Sequence, residues 1–395
     1  MKVVQINATS SKGSTGKICV SISELLTSSG IENYVLYSSG TSSHKESIKY
    51  TRGKTAKIEA LKSRIFGNYG FNTKSDTKRL ISKLERISPD IVHIHNIHSH
   101  NCNLTMLFNY LKEKGIRIVW TFHDCWAFTA YCPHFSYPSC EKWKNGCNRC
   151  PQVKSYSFFF DRSSEIYDKK RNLFTGLDLT VVTPSNWLGD LVKQSFLKQC
   201  PVKVINNGID LNIFKPSDSD FREKYGLENK KIVLGVSFGW SKKKGIDVFS
   251  ALSQQLGDDY KIVLVGVSSE TAKDLPGNIL TIERTQDQKA LAEIYSAANI
   301  FFNPTREETY PTVNMEALAC GTPVLTFNTG GSPEIIDESC GSVINSDNIE
   351  AIAKEIKRIV EGKIFSAESC LKRAQSFSDK DKFKAYLDLY KEMVD

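Results

Sequence analysis

The stretch NIFFNPTREETYPTVNMEALACGTPVLTF, residues 299–327, decides the fold. NIFFNPT (299–305) is a short apolar run closed by a proline, and it reads as a strand buried on both faces. Arg306 to Pro311 follow as a loop. Thr312 is expected to cap a helix carrying Val313, Met315, Ala317 and Leu318, which Gly321-Thr322-Pro323 stops. PVLTF (323–327) then reads as a second strand. Strand, helix and strand over this length form a crossover between parallel strands.

The same rhythm extends in both directions. Short β-rich runs recur at KVVQIN (2–7), NYVLYSS (33–39), DIVHIHN (90–96), RIVWTFHD (117–124), LTVVTPS (179–185) and VKVINNG (202–208). A second series holds KIVLGVS (231–237), KIVLVGV (261–267), ILTIE (279–283), the strands at 299–305 and 323–327, and SVI (342–344). Segments such as 17–29, 247–257, 287–298 and 349–361 are long enough for crossover helices. A polar stretch, 208–230, separates the two series. The fold expected is α/β, with two Rossmann-like, doubly wound domains facing a cleft and ligands outside the carboxyl ends of the strands. Phe383, Tyr386, Leu387, Leu389, Tyr390 and Met393 lie at helical spacing and mark a closing helix. Segment 125–165, rich in cysteine and aromatics, has no clear period and reads as an insertion.

Composition narrows the class. The 395 residues carry 40% hydrophobic and 24% charged side chains, ordinary for a globular protein. The apolar run in MKVVQIN is too short for an export signal, and no stretch nears the ~20 residues of a membrane span. A cytoplasmic location is expected, and the net charge of +8 suits peripheral contact with an anionic membrane face. Eleven cysteines, an odd number, favour free thiols or metal over a disulfide scaffold.

The opening stretch also carries chemistry. A helix N-terminus at a strand end suits a phosphate. Glu308 in the loop and Glu316 one turn into the helix would repel that anion, so they are expected to accept hydrogen bonds from neutral hydroxyls. Sugars offer these. Two Asp-x-Asp pairs, Asp218-Asp220 and Asp379-Asp381, read as surface, so transfer chemistry here is expected to need no metal.

Glu308, seven residues, Glu316 and the run ALACGTPV (317–324) resemble the signature of retaining glycosyltransferases of family 4, which have the GT-B fold. Other matches follow in the family's order. SKGSTGK (11–17) resembles its Gly-rich loop, where Gly13 and Gly16 would let backbone approach a diphosphate. His123, in TFHD (121–124), matches the active-site histidine beside the sugar. VTPSNWL (182–188), VINNGID (204–210) and FNTGGSPEII (327–336), with Glu334, resemble further landmarks. In SFGWSKKKG (237–245), Lys244 matches a cation on the donor pyrophosphate; Trp240 replaces the usual arginine, and Lys242 or Lys243 would supply the second charge. Pro311 stands where the family commonly has glycine, so the phosphate grip would begin at the N–H groups of Thr312, Val313 and Asn314.

The resemblance implies a GT-B architecture: an acceptor-side domain over 1–208, a nucleotide-sugar domain over 209–376, and a helix over 377–395 packing back on the first. It implies transfer of a hexose from a nucleotide diphosphate sugar, with retention, to a glycan or lipid-linked acceptor. The members it resembles most build bacterial capsule, exopolysaccharide or O-antigen. In that reading Glu308 holds hexose hydroxyls, Glu316 the ribose and His123 supports the sugar.

Two features stand outside this reading. Cys132, Cys140, Cys147 and Cys150 include a Cys-x-x-Cys knuckle and are candidate ligands of a structural zinc, with His134 as an alternative. HIHNIHSH (93–100) holds four of the seven histidines, with His93 and His95 on one strand face; an acceptor-facing or structural role is expected rather than a metal. The competing functions are a non-hydrolysing nucleotide-sugar epimerase and a zinc-containing nucleic-acid-binding module. The scattered basic residues speak against nucleic acid.

Overall fold

A computed structural model describes residues 1–52, 55–98, 100–345 and 347–395. The chain divides into two compact units, one of residues 1–206 and 382–395, the other of 207–381.

The first unit holds a seven-stranded sheet of β1 (Lys2–Thr9), β2 (Glu32–Ser39), β3 (Ser47–Lys49), β4 (Ile91–Ile94), β5 (Arg117–Thr121), β6 (Leu179–Thr183) and β7 (Val202–Val204). The order is β3-β2-β1-β4-β5-β6-β7 and the pairings are parallel. Helices α1 (Gly13–Ser28), α2 (Thr55–Phe66), α3 (Lys74–Ile87), α4 (Leu104–Glu113), α5 (Ser163–Phe174) and α6 (Asn186–Gln194) connect the strands. One core layer sets Leu80, Leu84, Leu107 and Phe108 against the sheet. The other sets Ile18, Ile22 and Leu26 of α1 beside Phe383, Tyr386, Leu389 and Tyr390. Burial of these last four side chains contributes about 1.5–3 kcal/mol apiece.

The second unit repeats the plan with six strands: β8 (Lys231–Val236), β9 (Tyr260–Val265), β10 (Leu280–Ile282), β11 (Ile300–Asn303), β12 (Val324–Phe327) and β13 (Gly341–Ile344). Their order is β10-β9-β8-β11-β12-β13, again parallel. Its helices are α7 (Phe221–Lys224), α8 (Ile246–Leu252), α9 (Ser269–Ala272), α10 (Gln288–Ala297), α11 (Thr312–Ala319), α12 (Ile349–Gly362) and α13 (Ala367–Ala374); α14 (Asp379–Val394) ends the described chain. In each sheet the order reverses beside its first strand, between β1 and β4 and between β8 and β11. Those switch points open crevices at the carboxyl ends of the strands.

All twelve strands expected from the sequence are present, with β3 in addition. Two local readings change. Thr312 is the first residue of α11 and Pro311 its cap, so no side chain caps the helix; Pro311 fixes φ at −75° and so sets the turn one residue earlier. Asp379 is partly buried rather than a surface residue, with its carboxyl raised by burial, and its backbone lies against Gly208. Segment 125–165 holds three single 3-10 turns, Trp126–Phe128, Lys142–Lys144 and Val153–Ser155. Among the described residues no helix is long and apolar enough to cross a membrane.

Candidate functional site

The switch point of the second sheet gathers the residues that the sequence singled out there. The loop after β8 carries Lys242, Lys243 and Lys244; the loop after β11 carries Arg306, Glu307 and Glu308. Lys244 Nζ lies 2.9 Å from Glu308 Oε2, and Lys243 Nζ 2.7 Å from Glu307 Oε2. Glu307 is almost wholly buried, so the charge of Lys243 is committed to it. The Thr309 N–H donates to Glu308 Oε1 at 3.1 Å. Behind Glu308 the Gly330-Gly331 turn packs tightly. Gly330 has φ +58, and a Cβ there would fall 1.8 Å from the Glu308 carbonyl oxygen. Only glycine lets the two loops touch.

Helix α11 starts at the same loop. The Asn314 N–H donates back to the Pro311 carbonyl. The N–H groups of Thr312 and Val313 come first in the helix and have no acceptor within it, which is the donor pair an anion needs. Glu316 accepts from Tyr295 Oη at 3.1 Å, and burial followed by this carboxylate holds the phenol well above its usual pKa. Two buried polar atoms near this turn lack a hydrogen-bond partner among the described residues: Asn314 Nδ2 and Ser332 Oγ. Such orphans are costly unless a ligand or water meets them.

Several participants escaped the sequence reading. Arg306 bridges the two loops, with its guanidinium 2.9 and 3.2 Å from the Asp247 carboxylate and 3.2 Å from Asp347. Its N–H donates to the Lys243 carbonyl at 2.8 Å. The partners lie 59 and 41 positions away in sequence, so no local spacing reveals them. Trp240 stands where an arginine was expected and acts in packing: its Nε1 donates to the Val265 carbonyl at 2.9 Å, and its ring meets Phe249 edge-on.

In the first unit, the β1–β4 switch point holds the glycine loop and the histidines. Gly13 takes φ +68 at the start of α1. Gly16 is buried, and a Cβ there would sit 2.9 Å from Thr9 Oγ1, so its smallness lets α1 close on β1. His123 follows β5 and lines a small open cavity with Asn96, His98, Asp124 and Trp126. Its ring stacks on His95, with Nε2 3.1 Å from His95 Nδ1. Burial lowers the His123 pKa to about 4. Burial pushes the Asp124 carboxyl up, but His98, 3.3 Å away, helps hold it below its usual value. His93 and His95 are fully buried with ring centroids 3.9 Å apart and planes tilted by 39°, and burial depresses both well below 6.5.

Cys132, Cys140, Cys147 and Cys150 line one small cavity together with Phe135 and Trp143. All four are free thiols. Burial raises Cys132 to about 12 and Cys147 to about 11. Among the described residues no set of three or more His, Cys, Asp or Glu side chains stands ready-made around a metal position. Lys170 is buried near this cavity, within electrostatic reach of Cys147 and Cys132. It donates to the Trp126 and Thr129 carbonyls at 2.7 and 3.0 Å.

A surface feature of the same unit stands apart. Phe158, Phe159 and Phe160 are 54%, 73% and 50% exposed, and Ile58, Leu61 and Phe66 of α2 are similarly bare. The Phe158 N–H donates to the Arg64 carbonyl at 2.7 Å, which fixes the aromatic loop to the end of α2. Arg64 and Arg162 lie 5.5 and 5.9 Å from the Phe158 and Phe160 ring centres.

Comparison with known proteins gives the geometry its context. The family described as Glycosyltransferase Family 4 matches residues 16–213, and that described as Glycosyl transferases group 1 matches 217–377. A putative colanic acid biosynthesis glycosyl transferase, WcaC of Escherichia coli (strain K12), is 23% identical with both chains covered in full. Among solved structures, sucrose-phosphate synthase from Thermosynechococcus elongatus superposes with a TM-score of 0.75 at 17% identity, covering 100% of this chain and 99% of that one. Alr3699/HepE of Anabaena in complex with UDP gives 0.71 at 15% identity, covering 99% and 100%. These likenesses establish the two-sheet GT-B fold, and the family matches establish the class. The chain belongs to the family 4 glycosyltransferases and is a transferase of that class.

Proposed function

We propose that the protein transfers a hexose, with retention of configuration, from a nucleoside diphosphate sugar to a lipid-linked or oligosaccharide acceptor in cell-surface polysaccharide synthesis. The observation that carries this reading is the convergence at the second switch point. A helix N-terminus with two donor N–H groups, Lys244, and the Glu308 carboxylate meet beside two orphaned polar atoms. Cation and N–H groups suit the pyrophosphate, while carboxylates suit sugar hydroxyls. In this reading Glu308 holds the hexose, Glu316 the ribose, and Lys244 with Thr312 and Val313 the pyrophosphate. The family resemblance gives His123 a role at the sugar and the loop at Gly13 and Gly16 a role at the phosphates. Lys244 and the N–H groups of Thr312 and Val313 do the work of a metal at the leaving group.

The named relatives support the finer points. One full-length relative carries a colanic acid biosynthesis name, and Alr3699/HepE has also been solved with UDP-glucose. The bare aromatic face around Phe158–Phe160, with Lys57, Lys62, Arg64 and Arg162 on the same segments, supports docking on an anionic membrane surface, where a lipid-linked acceptor would lie. Four cysteines around one cavity, next to a buried lysine that no carboxylate ion-pairs among the described residues, support a structural zinc held as thiolates.

The deciding experiment has two stages. Thermal-shift measurement across nucleoside diphosphates and their sugars should identify one base by a rise in melting temperature. That donor is then incubated with membrane-extracted lipid acceptors, and the new linkage is read by NMR. Transfer with the donor's anomeric configuration supports the proposal. Isomerised sugar from donor alone would instead establish the epimerase reading.

A further inference from the structure

The buried polar chain behind His123 fixes which of its ring nitrogens carries the proton. The deduction begins at a group with one possible role. The Cys19 carbonyl can only accept, and it takes a hydrogen bond from Gln5 Nε2 at 2.9 Å. This orients the Gln5 amide, so its oxygen faces His95 Nε2 at 3.0 Å. An amide oxygen can only accept, so His95 Nε2 must carry a hydrogen. His95 is buried beside His93 and stays neutral, which leaves its Nδ1 as an acceptor. That nitrogen lies 3.1 Å from His123 Nε2, which therefore donates. His123 is neutral as well, so its Nδ1 holds the lone pair.

We infer that Gln5 and His95 are positioning residues that lock His123 as its Nε2–H tautomer, making Nδ1 a hydrogen-bond acceptor. The ligand group this suits is a neutral hydroxyl that donates its hydrogen, as on a hexose. It does not suit a carbonyl or a phosphate oxygen, which offer Nδ1 no hydrogen. The inference deepens the proposed function and rests on it for the identity of the hydroxyl; the tautomer itself does not.

The test is NMR of protein labelled with 15N in histidine rings, near neutral pH. The His123 signals are assigned by their loss in His123→Asn. The expected result is a protonated-type shift at Nε2 and an unprotonated-type shift at Nδ1. The reverse pattern, or fast exchange between the two, would overturn the lock. A variant adds a kinetic readout. Gln5→Met removes the terminal acceptor, so the tautomers should mix and kcat should fall about tenfold, with KM for the donor little changed. If Gln5→Met keeps both the wild-type tautomer and the wild-type kcat, the inference is wrong. If the lock is seen but His123→Ala transfers sugar at the wild-type rate, the role of His123 in the proposed function fails and the lock stands.

Discussion

Glu308 and Lys244 neutralise one another at 2.9 Å. Under the proposed function a diphosphate would compete for the lysine and release the carboxylate toward the sugar. Glu308→Gln should therefore reduce transfer at least a hundredfold while the melting temperature moves little, since the carboxylate is partly exposed; near-wild-type turnover would sink its assignment. Lys244→Ala should weaken nucleoside diphosphate binding roughly ten- to a hundredfold by calorimetry, the ~1.5–3 kcal/mol of one charged hydrogen bond. These two residues were legible because their neighbours in sequence form the motif. Arg306 was not, because Asp247 and Asp347 approach it only in the fold. Gln5 left a faint signal: an amide in the middle of the apolar run KVVQIN is a buried polar group in need of partners.

Elements were easier to read than their ends. Strands buried on both faces leave continuous apolar runs, which is why β1, β8 and β9 stand out. Strand β3 has three residues, none of them buried, and so leaves no such run. The glycine turns divide into two kinds. Gly13→Ala meets open space and should cost only the backbone strain of its positive φ, about 1 kcal/mol. Gly330→Ala adds a collision with the Glu308 carbonyl, so it should lower the melting temperature more and reduce transfer as well. In segment 125–165 the knuckle at Cys147 and Cys150 was visible from spacing, whereas Lys170 lies beyond the segment, on α5. Metal analysis of freshly purified protein should find about one zinc per chain if the thiolate site forms. Four freely titrating thiols and no zinc would reject it.

At the scale of the molecule, acid should be the protein's weak condition. His93 and His95 are buried and neutral, with folded pKa values depressed below 6.5, so the unfolded chain binds more protons than the folded one as pH falls through 6.5. Stability is then held above pH 6.5 and declines below it, by at most about 1.4 kcal/mol per pH unit for each histidine. Melting curves from pH 7.5 to 4.5 check this, and a flat profile would contradict it. The aromatic face predicts a second behaviour: flotation with vesicles containing phosphatidylglycerol but not with phosphatidylcholine alone. Replacing Phe159 and Phe160 with serine should abolish flotation without changing nucleotide binding.

The split composition of the first unit has a consequence for how the chain is made. Residues 382–395 supply Tyr386 and Tyr390, whose hydroxyls bond Thr121 and His93 beneath the sheet. The ribosome must finish all of 207–381 before those residues exist. At about 5–20 residues per second this delay is roughly ten to thirty-five seconds. Throughout it the apolar face of α1 and the buried histidines lack their cover. The first unit can therefore complete this core layer only after the second has emerged.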